Sequence, residues 1–311
     1  MQKKVVVAVG GNSLIKDKNH QSIPDQYESI EETCTHIAKM ITQGWNIVIT
    51  HGNGPQVGFI LRRSEIASSV LHDVPLDYCV AETQGALGYN FQQALYNEFK
   101  KRGIDKQAVT VVTTVLVDKN DPGFQNPTKP IGPTYDKKTA DHNVKKKGWD
   151  MVDCIGKGWR RVVPSPKPIK IIEIQTIRTL VNQGFVVIAV GGGGIPVIEN
   201  QGLKGIPAVI DKDHASALLA SAINADVFLI LTAVEKVALN FLKPDQKFLD
   251  RITIAEAKKY LHEGHFPPGN MGPKIQAAIS FLEAEGKEVI ITNSSNIENA
   301  LLGLTGTHIV R

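Results

Sequence analysis

Val5-Val6-Val7-Ala8-Val9-Gly10-Gly11-Asn12-Ser13 is a run of five apolar residues that stops at a pair of glycines. A run this short, rich in β-branched residues and without polar alternation, predicts a strand buried on both faces. That is the pattern of a mainly parallel sheet covered by helices. Similar runs recur at Asn46 to Thr50, Val109 to Val117, Val186 to Val190, Val227 to Leu231 and Val289 to Thr292. Between them, Tyr27 to Gln43, Ala81 to Arg102, Ile172 to Gln183 and Ile254 to His262 carry apolar residues at helical spacing. Gly44, Gly103 and Gly184 each follow one of these segments, where a left-handed residue ends a helix and glycine takes that conformation without strain. Lys100-Lys101-Arg102 places positive charge at a helix's negative end. The chain reads as an α/β protein.

Composition narrows the class. The 311 residues are 42% hydrophobic and 21% charged, which excludes a disordered chain and suffices for a large core. Cys34, Cys79 and Cys154 are far apart and form no C-x-x-C pair, so neither a disulfide framework nor a zinc site is expected. Met1-Gln2-Lys3-Lys4 leads straight into the first strand, too short an apolar stretch for a signal peptide, and no run reaches membrane-span length. The expected location is cytoplasmic. A net charge of +4, spread without interleaved aromatics, gives no expectation of nucleic acid and suits an enzyme with anionic ligands. Lys145-Lys146-Lys147 reads as a solvated face.

The stretch from Asp118 to Pro168 breaks the alternation. It contains Pro122, Pro127, Pro130, Pro133, Pro164, Pro166 and Pro168 and no long apolar run. A stretch this long inside a compact domain is usually functional or a small subdomain. It is read as a protruding insert acting as a lid, with Trp149 and Trp159 forming its small core.

Four glycine-rich turns follow strands or open helices: Gly10-Gly11-Asn12-Ser13, His51-Gly52-Asn53-Gly54-Pro55-Gln56, Gly191-Gly192-Gly193-Gly194 and Gly269-Asn270-Met271-Gly272-Pro273-Lys274. Glycine lets backbone approach an anion, and the free N–H groups of a helix N-terminus point at it. One such turn is as easily a tight connection; four in one α/β chain point to a polyanionic ligand. None fits the P-loop or the dinucleotide fingerprint, since Gly52-Asn53-Gly54 meets its next glycine only at Gly58.

Gly272-Pro273-Lys274 predicts a helix with proline at its first position and Lys274 in the first turn, where an anion would relieve the conflict of lysine with the helix dipole. Asp211-Lys212-Asp213 follows the apolar run Ile206 to Ile210 and precedes a helix from Ala215 to Ile223. Its acidic pair can orient the lysine, bind Mg²⁺ or cap the helix, with Asp213 as the candidate cap. Lys129 sits among prolines that stiffen the insert. His51 reads as a hydrogen-bonded turn histidine, with a general base or ligand as the alternative.

With these residues in view, the chain resembles the amino acid kinase family, and within it the carbamate kinase branch, over essentially its full length. The likeness rests on Val9-Gly10-Gly11-Asn12-Ser13-Leu14, on Thr50 to Gly58, on Lys129-Pro130-Ile131-Gly132 and Trp159 to Pro166 in the insert, on Gly191 to Pro196, on Val209 to Asp213, on Leu231 to Val237 and on Met271 to Lys274. The insert motifs are the most specific to that branch. The resemblance implies a three-layer α/β/α sandwich with a mainly parallel central sheet and a small protruding insert. Residues 1–117 and 169–190 would form a carbamate-binding half, 118–168 the lid and 191–311 an ATP-binding half.

The same resemblance implies reversible phosphoryl transfer between ATP and carbamate with Mg²⁺, ATP synthesis from carbamoyl phosphate in arginine catabolism (the arginine deiminase pathway), and a homodimer without nucleic-acid or membrane partners. Carried over, Lys129, Lys212 and Lys274 are the catalytic lysines and Asp213 organises them. Gly10, Gly11, Asn12, Gly52, Asn53 and Gly54 would hold phosphate and carbamate. Gly192, Gly193, Thr232, Ala233, Val234, Val237, Met271 and Gly272 would hold the nucleotide, and no protein metal ligand is assigned. Two departures bear on adenine contacts: Asn270 stands where a small residue is expected, and Ala238-Leu239-Asn240-Phe241 lacks an expected tyrosine. The alternatives are a relative acting on UMP, N-acetylglutamate or aspartate, and a non-catalytic nucleotide-binding protein.

Overall fold

The computed structural model describes residues 3–15, 17, 19–154, 156, 158–267 and 269–311, with backbone alone for Asn12 and Ser13. The first part of the chain runs β1 (Lys4–Val9), α1 (Ile23–Thr42), β2 (Asn46–His51), α2 (Gly54–Ala67), α3 (Leu76–Arg102), β3 (Ala108–Thr110) and β4 (Thr114–Val117). The insert follows as β5 (Lys129–Tyr135), α4 (Lys137–Lys147), β6 (Asp150–Cys154) and β7 (Gly158–Val163). The chain returns through β8 (Pro168–Ile171), α5 (Ile174–Asn182) and β9 (Val186–Ile188). It continues with β10 (Ile195–Glu199), β11 (Leu203–Gly205), α6 (Lys212–Ala222), β12 (Val227–Leu231), β13 (Ala238–Leu239), β14 (Lys247–Phe248) and β15 (Arg251–Thr253). The last elements are α7 (Ile254–His262), α8 (Met271–Glu283), β16 (Glu288–Thr292), α9 (Ile297–Leu301) and β17 (Thr307–Val310).

Eight strands form the central sheet in the order β15-β17-β16-β12-β1-β2-β9-β3. Every neighbouring pair is parallel except β16 with β17. Strand alternation divides the apolar residues between two layers. Val5, Val7 and Val9 face Ile30, Ile37, Phe91 and Leu95 of α1 and α3, whereas Val6 and Ala8 face the layer containing Ile177, Leu219 and Ile275 of α5, α6 and α8. The sandwich and its mainly parallel sheet are therefore as expected. The end of α3 matches, with Gly103 closing it at φ 65° after Lys100, Lys101 and Arg102, whereas α1 begins at Ile23, ahead of the expected Tyr27, because Ser22 and Asp25 form a reciprocal cap there. Among the described residues no helix is long and apolar enough to cross a membrane.

The run Val109 to Val117 is two strands, not one. β3 lies at the edge of the central sheet, and β4 joins a second sheet of order β11-β10-β4-β8. The chain turns between them because the Gln84 side chain takes over the ladder. Its Oε1 accepts from Thr113 N (2.7 Å), and its Nε2 donates to Thr113 O and Gly191 O, both at 3.0 Å. Hydrophobic periodicity cannot register a side chain that replaces a neighbouring strand. The run Ile206 to Ile210 is not itself a strand; it keeps single bonds from Ile206 N to Pro196 O (3.1 Å) and from Val209 N to Pro164 O (3.0 Å) and leads directly into α6.

The insert is a three-stranded antiparallel sheet, β5-β7-β6, with α4. Among its described residues Ile131, Ala140, Asn143, Val162, Val163 and Pro166 are buried, not the tryptophans. Trp149 is half-buried with Lys147 Nζ 4.5 Å and Arg161 Cζ 4.4 Å from its ring centre, and Lys137 lies 4.9 Å from that of Trp159. Cations over aromatic faces replace the apolar contact expected of them. Ile131 and Val163 also join Val57, Leu61 and Val80 of α2 and α3 in one cluster, so the base of the insert belongs to a core shared with the main body.

Helix α3 approaches β3 closely at Gly88, where an added Cβ would overlap the Oγ1, Cγ2 and Cβ of Thr110. Rotating Thr110 cannot relieve all three. Gly88→Ala is expected to lower unfolding stability by about 1–3 kcal/mol, an overpacking cost, in urea denaturation.

Candidate active site

The chain runs from β1 through β2 to the edge strand β3, returns to β9 between β2 and β3, then crosses to β12 and β16 on the other side of β1. The boundary between β1 and β12 is therefore the switch point of the sheet, where the connections after the two strands diverge and leave a crevice at their carboxyl ends. The Gly10-Gly11-Asn12 turn follows β1 there, and Thr232 follows β12.

Three glycine turns meet around this crevice, the first two backbone to backbone. A Cβ on Gly52 would lie 2.6 Å from Gly11 N, and one on Gly11 would lie 3.1 Å from Asn53 N. Gly192 in turn rests against the Asn53 side chain, leaving no room for a side chain of its own. Asn53 is buried, and its Nδ2 donates to Thr83 Oγ1 at 2.8 Å, so it offers the site its backbone. Asn53 precedes α2, whose first N–H groups have no intrahelical partners and face this region of the fold. The Asn12 side chain, named from sequence, lies outside the described residues. Gly54 is exposed at the start of α2, and Gly193 is buried against Ile210.

Lys129, Lys212 and Lys274 come together although they are scattered through the chain. Lys212 opens α6, packed on β1, and its Nζ lies 2.7 Å from Asp213 Oδ1 and 3.5 Å from Ala8 O. Lys274, from α8, reaches the other oxygen, Asp213 Oδ2, at 3.0 Å. Lys129, from β5 of the insert, reaches Asp211 Oδ2 at 2.6 Å. Asp211, not Asp213, caps α6: its Oδ1 accepts from Asp213 N at 2.9 Å. The sequence names Asp213 as the organiser and misses Asp211 as the partner of Lys129. Only the alternation Asp-Lys-Asp signals that two carboxylates can turn to different lysines. Helix α8 starts at Met271, so Pro273 is its third residue and Lys274 its fourth. The lysine thereby stands one turn inside, toward Asp213.

The electrostatics follow from this packing. Burial would raise the Asp213 carboxyl, but the charges of Lys212 and Lys274 outweigh it and hold the group far below the usual carboxylate range. Burial would also raise Asp211, and Lys129 holds it below its ordinary value. Lys212 is lowered by burial, with Asp213 opposing that shift. Behind these charges Thr50 Oγ1 and Ser216 Oγ share a buried hydrogen bond of 2.6 Å, and Ser216 donates to Lys212 O at 2.6 Å. That pair, like Gln84, carries no sequence motif.

The residues named for a nucleotide lie on the β12 side. Thr232 N donates to Thr292 O at 2.8 Å and Val237 N to Thr307 Oγ1 at 2.8 Å, which fixes both ends of the segment that includes Ala233 and Val234. Met271 and Gly272 form the first turn of the helix that presents Lys274. Among the described residues no group of three His, Cys, Asp or Glu side chains is placed to hold a metal ion. The lysines already occupy the two carboxylates that could have begun one.

The amino acid kinase family model matches residues 3–293. A carbamate kinase from Thermococcus kodakarensis is 49% identical, with 99% of each chain covered. A carbamate kinase-like protein from Escherichia coli is 52% identical, with 100% of each covered. Among solved structures, carbamate kinase from Giardia lamblia bound to AMP-PNP superposes with a TM-score of 0.93 at 41% identity, covering 99% of this chain and 98% of that one.

His51, at the end of β2, is fully buried, and burial pushes its imidazole down to about 4. Its charged form is thus favoured in the unfolded chain, near pH 6.5, long before it forms in the fold. Stability from this group is complete above about pH 6.5 and is lost as pH falls toward 4. Between pH 7 and pH 5 the protein is expected to lose about 2 kcal/mol more than a His51→Asn variant, measured by urea unfolding at each pH.

Proposed function

The chain belongs to the amino acid kinase family, and on that premise we propose that it is a carbamate kinase, transferring a phosphoryl group reversibly between ATP and carbamate. The observation that carries the reading is the convergence of Lys129, Lys212 and Lys274 on the Asp211 and Asp213 carboxylates beside the glycine turns. Phosphoryl transfer asks the protein for alignment and charge neutralisation, which ammonium groups and backbone N–H groups supply. Carbamate already carries a negative oxygen, so no base is needed to remove a proton. His51 is enclosed and held neutral, consistent with a mechanism that does not use it for proton transfer.

In the synthetic direction a carbamate oxygen attacks the γ-phosphorus, the bond from that phosphorus to the β,γ-bridging oxygen breaks, and ADP leaves with the bond's electrons. Lys212 and Lys274 are assigned to the nucleotide phosphates, with Lys129 reaching the transferring group from the insert and Asp213 holding two ammonium groups in register. Gly10, Gly11, Asn12, Gly52, Asn53 and Gly54 are assigned to the phosphoryl group and carbamate. Gly192, Gly193, Thr232, Ala233, Val234, Val237, Met271 and Gly272 are assigned to the nucleotide. Residues 1–117 and 169–190 then form the acceptor half, 118–168 the lid and 191–311 the nucleotide half.

Mg²⁺, when bound with the nucleotide, neutralises charge between the β- and γ-phosphates. The engaged carboxylates suit an ion carried mainly by phosphate oxygens and water, as Mg²⁺ commonly is. Carbamoyl phosphate is a mixed anhydride, so transfer to ADP is the favoured direction, the one arginine breakdown through an arginine deiminase route would use. A cytoplasmic location belongs to the same proposal and is supported by three free thiols, two of them buried.

The proposal includes a homodimer whose second copy rests on α3. Tyr78, Tyr89 and Tyr96 lie on one line of that helix, separated by 11 and 7 residues, close to whole turns, and are 63%, 64% and 66% exposed. Three aromatics aligned on one face, near the edge strand β3, suit an interface rich in tyrosine.

Incubation with MgADP and carbamoyl phosphate is expected to yield ATP; activity on UMP or N-acetylglutamate without ATP from carbamoyl phosphate would overturn the assignment. Lys129→Ala is expected to reduce turnover by about 100-fold or more, the scale for losing one charge-stabilising group, and normal turnover would remove the lid from the mechanism. Sedimentation should give a dimer for the native chain and a monomer for Tyr89→Glu.

A further inference from the structure

We infer that His51 is a positioning residue of the site, fixing the Gly52–Asn53 peptide so that its N–H faces the phosphoryl cradle. The inference rests on the kinase reading for what the cradle binds, but not for the geometry.

The ring is wholly buried and lies against Phe91, with centres 5.8 Å apart and planes 23° from parallel. Its Nδ1 lies 3.1 Å from Gly52 O. A carbonyl oxygen only accepts, so Nδ1 carries the proton and a neutral ring keeps Nε2 bare. Nε2 indeed has no hydrogen-bond partner among the described residues, and it faces Gly191, where an added Cβ would lie 2.6 Å from it. A buried acceptor without a partner is costly, and a site that retains one calls for an explanation.

The explanation lies in the peptide that His51 holds. Gly52 N already donates to Val9 O at 2.9 Å. With Gly52 O held by His51, both sides of Gly52 are tied. A trans peptide is planar, so a fixed Gly52 carbonyl fixes the Asn53 N–H in the opposite direction. Asn53 N lies against Gly11, at the junction of the turns after β1 and β2. A glycine at position 52 could otherwise let this peptide turn over, because nothing on its Cα opposes either orientation. Reversal would replace a donor in the anion cradle with a carbonyl oxygen. The ring's Nε2 and Cε1 close against Gly191, so the same side chain links the turns after β2 and β9.

Two substitutions separate positioning from packing. Asn places its amide nitrogen near that of Nδ1 and keeps the donor to Gly52 O; Gln reaches the Nε2 position and loses that donor. His51→Gln is expected to lower kcat roughly tenfold or more with the KM for MgADP changed less than about twofold, the signature of a contact needed in the transition state. His51→Asn should restore most of that loss. If both variants keep native kcat per folded molecule, or lose it equally, the positioning role is overturned. Absence of ATP formation by the native protein would instead overturn the kinase reading. A second measurement is independent of activity: ¹⁵N NMR of histidine-labelled protein should show the His51 ring with its proton on Nδ1. A proton on Nε2 would overturn the inference whatever the reaction.

Discussion

Three ammonium groups share one crevice only because two carboxylates stand between them. At a separation of about 5 Å and an effective dielectric near 20, two unit charges repel by roughly 3 kcal/mol. Asp213 places one oxygen toward Lys212 and the other toward Lys274, and Asp211 engages Lys129 while capping the helix that carries the other two residues of the Asp-Lys-Asp run. Removing the Asp213 charge would leave two buried cations without a partner, a loss of the order of 3–5 kcal/mol in comparable buried pairs. The geometry of α6, α8 and β5 around the crevice therefore depends on these carboxylates as much as on apolar packing.

Glycine supplies the second half of the arrangement. The turns after β1 and β2 meet by backbone and the turn after β9 rests on the Asn53 side chain, with no space for a side chain on Gly11, Gly52 or Gly192. Parallel neighbours in the sheet deliver those turns to the same edge, and the switch in winding between β1 and β12 opens the space in front of them. On the proposed function, backbone N–H groups on one side and paired lysines on the other would be preorganised for phosphate.

The sequence makes some of this legible and conceals the rest for physical reasons. Strands such as β1, β2, β12 and β16 are readable because burial on both faces leaves continuous apolar runs, and the end of α3 is readable because Gly103 has a local job. The break between β3 and β4 is not readable, since it depends on Gln84 reaching from α3 to replace ladder bonds. Of the site, the glycine turns and the Asp-Lys-Asp run show in the sequence. The convergence of Lys129 with Lys212 and Lys274 rests on resemblance until tertiary structure supplies it. The division of labour, in which Asp211 caps and binds Lys129 while Asp213 binds the other two lysines, is a matter of rotamers, which spacing does not encode.

The three lysines are not equally enclosed. Lys212 and Lys274 are 11% and 12% exposed and share a carboxylate that is 5% exposed, so releasing either leaves an uncompensated charge in the interior. Lys129 is 32% exposed and its partner Asp211 16%, so water can take over part of the interaction when they separate. Partly solvated pairs are worth far less than buried ones, down to about 1 kcal/mol or below at a surface. The Lys129–Asp211 pair is therefore less enclosed than the pairs that Lys212 and Lys274 make with Asp213. The base of the insert is held by Ile131 and Val163 in a shared core and by Tyr135 Oη donating to Glu65 at 3.0 Å. The insert is thus anchored at its base in the shared core, and Lys129 is the member of the lysine set that it brings to the crevice.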